Sequence, residues 1–201
     1  EGWKAGAASV AITPSQSLWM AGYGSRTAPS EGKETDLFAK ALVLEDAAGI
    51  RGLVLTLDLV GIDRGFAGRV TDALTKQYQL PRESVAICAS HTHSGPVVAG
   101  NLAPLHYERL EPAQRQALDA YADELLAKIA ALAGEAVARL APARVQWGSG
   151  KCTFAVNRRE NKEPEVPDKR AQGGLAGPSD HDVPVLRGVL VIVRCDGSPL
   201  Y

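Results

Sequence analysis

Short β-branched and apolar runs alternate along the chain with stretches of helical periodicity, which predicts an α/β fold of mixed β-sheets packed with helices. No internal repeat is found at any period. Strands are expected at residues 7–13, 37–45 and 52–59, and Asp46-Ala47-Ala48-Gly49 between the last two suits a hairpin turn. Pairing near the start of the chain is therefore expected to be antiparallel. Asp63 is placed to cap a helix reaching Tyr78, Pro81 stops it, and the uninterrupted small and apolar run 85–90 reads as a buried strand.

The longest expected element is a helix over residues 112–140. Leu118, Tyr121, Leu125, Ile129, Leu132, Ala136 and Leu140 recur at three- and four-residue spacing, while Asp119, Asp123, Glu124, Lys128 and Glu135 fall largely elsewhere on the wheel. One face is expected to pack on the sheet, between Pro112 in the first turn and Pro142 beyond the end. A strand resumes at 144–148. Residues 157–179 are rich in charge, Gly and Pro and read as one long loop, a length that is usually functional or disordered. A strand at 187–193 and the turn residues Asp196-Gly197-Ser198-Pro199 follow. A turn into Leu200-Tyr201 with no partner strand leads to the expectation that residues 1–201 are the N-terminal part of a larger catalytic domain, truncated at the C-terminus.

Composition narrows the classes. At about 150 residues per domain, 201 residues suffice for a full core without disulfide staples. Hydrophobic content of 45% and charged content of 22% exclude collagen-like, coiled-coil and wholly disordered chains. Lys and Arg (22) balance Asp and Glu (23) and are scattered, so neither nucleic acid nor a membrane surface is an expected partner. The apolar runs 53–57 and 188–193 are far short of the roughly 18–20 residues that span a bilayer. Cys88, Cys152 and Cys195 lie far apart without C-x-x-C spacing, which excludes a zinc knuckle or a dithiol redox motif but leaves one disulfide open. The opening at Glu1, without Met or a signal-like region, suits a processed chain.

The chemistry concentrates in Ala89-Ser90-His91-Thr92-His93-Ser94-Gly95-Pro96. If the strand persists through this stretch, His91 and His93 share a face and converge on one ion or ligand, at the carboxyl end of a strand where α/β proteins commonly bind ligands. The bland alternative is a pair of hydrogen-bonded structural histidines. A metallo-β-lactamase motif would need an acidic residue where Gly95 stands. Ser94 lacks the G-x-S-x-G context of a nucleophile elbow, and Cys88 sits in an apolar run that disfavours a thiolate. A catalytic zinc needs about three protein ligands and an open position. The two remaining histidines, His106 and His181, have no partner spacing and read as surface residues, so the site is expected to be incomplete in this chain.

An ordered set of segments extends the motif: Gly6-Ala-Ala-Ser-Val-Ala-Ile-Thr-Pro14, Trp19-Met-Ala-Gly-Tyr23, Leu37-Phe-Ala-Lys-Ala41, Leu55-Thr-Leu-Asp58, Ser90-His-Thr-His-Ser-Gly-Pro96, Asn157-Arg158 and Asp180-His-Asp-Val-Pro-Val-Leu186. In these residues the chain resembles the N-terminal domain of the neutral/alkaline non-lysosomal ceramidases. The resemblance implies a secreted or periplasmic zinc (Zn2+) amidohydrolase acting on the N-acyl amide of ceramide or a related lipid amide. It implies His91 as a metal ligand, His93 and Arg158 as catalytic residues and Gly22 as a substrate-binding residue, with the remaining ligands, a His, a Glu and a Tyr, beyond the end of the chain. Two departures stand out: Val97-Val98-Ala99 replaces the Gly-Gly that commonly follows Ser-Gly-Pro in the family, and Met20-Ala-Gly-Tyr23 is a variant. The alternatives left open are another metal hydrolase with a His-x-His strand end, for which a barrel of regular β-α repeats is expected, and a non-catalytic exported domain of the same fold. Oligomeric state is not legible.

Overall fold

The structure, a computed structural model, describes residues 2–190, 192–193 and 199–200. The chain divides into two compact units, residues 1–143 with 190–201, and residues 144–189. The first is built on an antiparallel meander of β1 (Trp3–Ala11), β2 (Phe38–Glu45) and β3 (Arg51–Leu57). Asp46 sets the β2–β3 register: its Oδ1 accepts the N–H groups of Ala48 (2.9 Å) and Ile50 (2.8 Å), which closes the turn so that Glu45 faces Arg51. Alternate residues of β2 and β3, among them Ala39, Ala41, Val43, Leu53, Leu55 and Leu57, are buried on one face. Glu45 ends that row; hydrogen bonds from Lys4 and then Arg51, each 2.7 Å, hold its carboxyl below the ordinary carboxylate range.

A parallel strand needs a crossover, and α1 (Arg64–Tyr78) supplies it between β3 and β4 (Val85–Ala89). Asp63 caps α1 as expected, accepting the Phe66 N–H at 2.8 Å. The helix stops at Gln79, which turns left-handed (φ 57°), just ahead of Pro81. Helix α2 (Pro112–Ala138) buries Leu118, Tyr121, Leu125, Ile129, Leu132 and Ala136, the face expected from their spacing, against β1, β2 and α1. Gly6 of β1 lets α2 approach closely, because a Cβ there would collide with the Ala136 carbonyl oxygen. The Tyr121 hydroxyl, raised in pKa by burial, donates to the Ile12 carbonyl at 2.7 Å.

The strand order in this unit is β4-β3-β2-β1, followed by the first residues of β5 (Ala141–Lys151), which pair with β1. The position of β4 at the edge corrects the reading of 85–90 as a buried strand: within β4 only Val85 is buried, and Cys88 is exposed rather than sealed in apolar surroundings. In the second unit the rest of β5 runs beside β6 (Asp182–Leu190), continued by the Cys152 N–H donating to the His181 carbonyl at 2.9 Å. The expected long loop is partly ordered here. A 3-10 turn at Glu163–Glu165 leads into α3 (Val166–Ala171), with Pro167 in its first turn. Leu200 does have a partner, since β7 (Ile192–Val193) and β8 (Pro199–Leu200) pair antiparallel; Cys195 and most of the expected turn between them lie outside the described residues. Among the described residues no helix is long and apolar enough to cross a membrane.

Candidate metal and catalytic site

The two histidines follow β4 rather than extend it. The strand ends at Ala89, and His91 adopts a left-handed backbone (φ 58°), so strand alternation does not orient the pair. The rings nevertheless meet, with centroids 4.9 Å apart and planes at 76°. The rings are brought together by a turn and not by strand alternation. Left-handed backbone at a residue with a side chain is uncommon, and the same segment carries two more, Ala99 (φ 45°) and Leu102 (φ 52°).

The segment is tied at both ends. At its start the Ser90 N–H donates to the Leu57 carbonyl at 3.0 Å, prolonging the β3–β4 pairing. Further on, Met20 bridges Pro96 while the Ala21 and Val97 N–H groups donate to Gly95 and Trp19 carbonyls, each at 2.9 Å. This short antiparallel pairing brings Trp19-Met-Ala-Gly-Tyr23 alongside the histidines. Gly22 then packs directly on His93. Its φ is +102°, and a Cβ there would sit 2.5 Å from His93 Cγ and 2.8 Å from its Cα. Tyr23 meets the His93 ring edge-on at 4.8 Å, and Arg26, 5.4 Å above the Tyr23 ring, donates from Nη2 to the His93 carbonyl at 2.7 Å.

His91 is exposed, yet its Nδ1 lies 2.7 Å from the Val60 carbonyl oxygen. A carbonyl can only accept, so Nδ1 carries a hydrogen, and in the neutral ring the lone pair is on Nε2. This arrangement, an imidazole locked on a main-chain oxygen with the other nitrogen open, is how metal-ligating histidines are commonly held. The donor set of the pair therefore fits a zinc ligand at His91. Among the described residues, however, no group of three or more His, Cys, Asp or Glu side chains could hold a metal together. One or two imidazoles are the whole contribution visible here.

The other expected residues fall in different places. Arg158, in the second unit, is exposed and pairs with Glu163 at 2.9 Å. Its loop is held by Asn161, which is fully buried: Nδ2 donates to the Asn157 (2.8 Å) and Ala176 (2.7 Å) carbonyls while Oδ1 accepts the Ala176 N–H. His181 of the same unit is half-buried, its Nε2 3.3 Å from the Ala155 carbonyl. His106 is not the surface residue expected of it. It is only 2% exposed, and its Nε2 accepts the Gly22 N–H at 3.3 Å. Burial first, then the positive charges of Arg26 and Arg109, push its pKa down, which disfavours protonation of the ring. Sequence reading passed over it because the contact joins residues 84 positions apart. A cleft of about 1100 Å³ is lined by Thr92, Ser94, Gly95, Pro96 and Arg26 among others, but by neither histidine, so it flanks the pair rather than containing it.

Comparison with known proteins adds to this geometry. The sequence model of one family, described as neutral/alkaline non-lysosomal ceramidase, N-terminal, matches residues 3–166. Two solved structures, a ceramidase complexed with C2 and the neutral ceramidase from Pseudomonas aeruginosa, share the fold with a TM-score of 0.66 at 24% identity. Each alignment covers 98% of this chain and 30% of the solved chain, so the 201 residues span about a third of those proteins. No curated protein matches.

Proposed function

Because the chain belongs to the neutral/alkaline non-lysosomal ceramidase family, we propose that it carries the N-terminal share of a zinc amidohydrolase site that cleaves the N-acyl amide of ceramide or a related lipid amide, in a secreted or periplasmic protein. The observation that carries the reading is the His91 imidazole, fixed by the Val60 carbonyl at 2.7 Å with its second nitrogen open beside His93. Zinc, when bound, supplies Lewis acidity toward the amide carbonyl and toward water. Everything else falls to the protein. His91 presents Nε2 as a ligand. His93, braced by Gly22, Tyr23 and Arg26, offers its imidazole to the substrate oxygen that gains charge, where a preorganised donor is worth most. Gly22 keeps the wall beside that ring thin. Arg158, exposed and paired with Glu163 in the second unit, is proposed on the family resemblance alone as a residue for polar substrate groups.

An amidohydrolase barrel built from β-α repeats is not supported, because β1, β2 and β3 are antiparallel neighbours. The reading is tested by assaying hydrolysis of a short-chain N-acyl sphingoid base by the whole protein, before and after chelation and zinc return. Chelation is expected to abolish activity and zinc to restore it, with His91→Ala losing both bound metal and turnover. A whole protein that purifies without zinc, and whose activity His91→Ala leaves intact, overturns the assignment.

A further inference from the structure

His106 has no part in the reading so far, although its imidazole is among the few buried polar side chains of the described residues. Filling that space alone would be cheaper with an apolar residue, since a buried polar ring is unfavourable unless it is hydrogen-bonded. The bond it makes is to the main chain of the segment that walls His93. Its Nε2 takes the Gly22 N–H at 3.3 Å, one residue beyond the point where the antiparallel pairing with Gly95 and Pro96 ends. Without an acceptor there, the Gly22–Tyr23 end of the segment keeps the Tyr23 ring on His93, the Arg26 side chain and the Arg26 N–H donated to the Tyr23 carbonyl at 3.3 Å, none of which engages the Gly22 amide. With it, the Gly22 Cα is pressed against His93 so closely that a Cβ would reach within 2.5 Å of Cγ.

We infer that His106 is a positioning residue for His93: by accepting the Gly22 N–H it clamps the Gly22–Tyr23 backbone against the His93 ring and fixes the direction in which that ring faces substrate. The assignment of a substrate to His93 rests on the hydrolase reading above; the clamp itself does not. The burial and the two nearby arginines, which disfavour protonation of His106, agree with the clamp, because a protonated Nε2 could not accept.

Two measurements test it. The first is made on the whole protein and needs no activity: long-range 1H–15N spectra of the histidine rings in wild type, His106→Leu and His106→Gln. Wild-type His106 is expected as the Nδ1–H tautomer. His106→Leu is expected to shift the His93 ring signals and His106→Gln, whose amide oxygen can accept the same N–H, to return them toward wild type. An Nε2–H tautomer for His106, or His93 signals indifferent to His106→Leu, overturns the inference. The wild-type tautomer decides the matter even if the leucine variant does not fold. The second is steady-state hydrolysis of a fluorogenic N-acyl amide by the whole protein. His106→Leu is expected to lower kcat about tenfold with KM within twofold, and His106→Gln to recover most of kcat. An unchanged kcat, or a loss that His106→Gln does not repair, counts against the clamp. A wild-type protein with no amidase activity refutes the hydrolase reading instead and leaves the spectra to decide on His106.

Discussion

Replacing Gly22 by alanine probes the close approach on which the site depends. Two costs combine. The backbone there (φ +102°) is one that residues with a side chain rarely adopt, at about 1–3 kcal/mol. The new methyl would also stand 2.5 Å from His93 Cγ and 2.6 Å from its Cβ, and relieving such overpacking costs a further 1–3 kcal/mol or so. Since a Cβ 2.8 Å from the His93 Cα meets main chain, no rotamer change removes the clash. Gly22→Ala is therefore expected to destabilise the chain by about 2–6 kcal/mol, a large part of the roughly 5–15 kcal/mol available to a typical domain. Gly32 is the control: nothing lies within 4 Å of a Cβ built there, so Gly32→Ala should change stability by no more than about 0.5 kcal/mol. Urea unfolding of both variants, followed by circular dichroism, separates them. Indistinguishable midpoints would refute the packing of Gly22 on His93, and with it the role given to the segment 19–23.

Other expectations are independent of that contact. Asp63→Ala removes the cap of α1 and should cost about 1 kcal/mol in the same unfolding assay; no loss would mean that the Phe66 N–H finds another partner. Tyr121→Phe strands the buried Ile12 carbonyl and should cost about 1–3 kcal/mol, whereas an unchanged midpoint would dissolve that bond as a contributor. His106 binds a proton less readily folded than unfolded, so stability should sit on a plateau above its ordinary pKa of 6.5 and fall as the pH drops below it; His106→Gln should flatten that slope, and a slope that persists in the variant assigns it to other groups. The 201-residue chain alone should release zinc on dialysis, because no third ligand joins the pair among the described residues; one equivalent retained per chain would show that a further ligand exists within it.

The elements with strong local signals were legible. The α2 face from Leu118 to Ala136 follows from spacing alone, and Asp63, Asp46 and Pro112 act as local chemistry dictates. What escaped depends on neighbours that the sequence does not show. The run 85–89 is apolar enough for an interior strand, but whether both faces are covered depends on strand order, and β4 falls at an edge. Charge and Pro content in 157–179 hid α3, whose Pro167 occupies a first-turn position where its missing N–H is not needed. The histidine pair was singled out by residue type and by strand alternation, and the second of these is corrected: the rings come together through a left-handed turn at His91, which a non-glycine residue does not advertise. Gly22 was named only through family resemblance, and its contact with His93 gives it a physical reason.

The hold on the paired rings terminates largely on peptide atoms: the Val60 carbonyl receives His91, the His93 carbonyl receives Arg26, and the Gly22 amide reaches His106. Apolar replacements at position 60 that still fill the core leave the first of these partners in place, because the oxygen belongs to the main chain. Deleting or inserting a single residue between Leu57 and Ile62 would instead slide that oxygen away. Lineages carrying this fold should accordingly restrict position 60 for its packing in the core, not for its oxygen, while keeping the spacing between β3 and α1 constant.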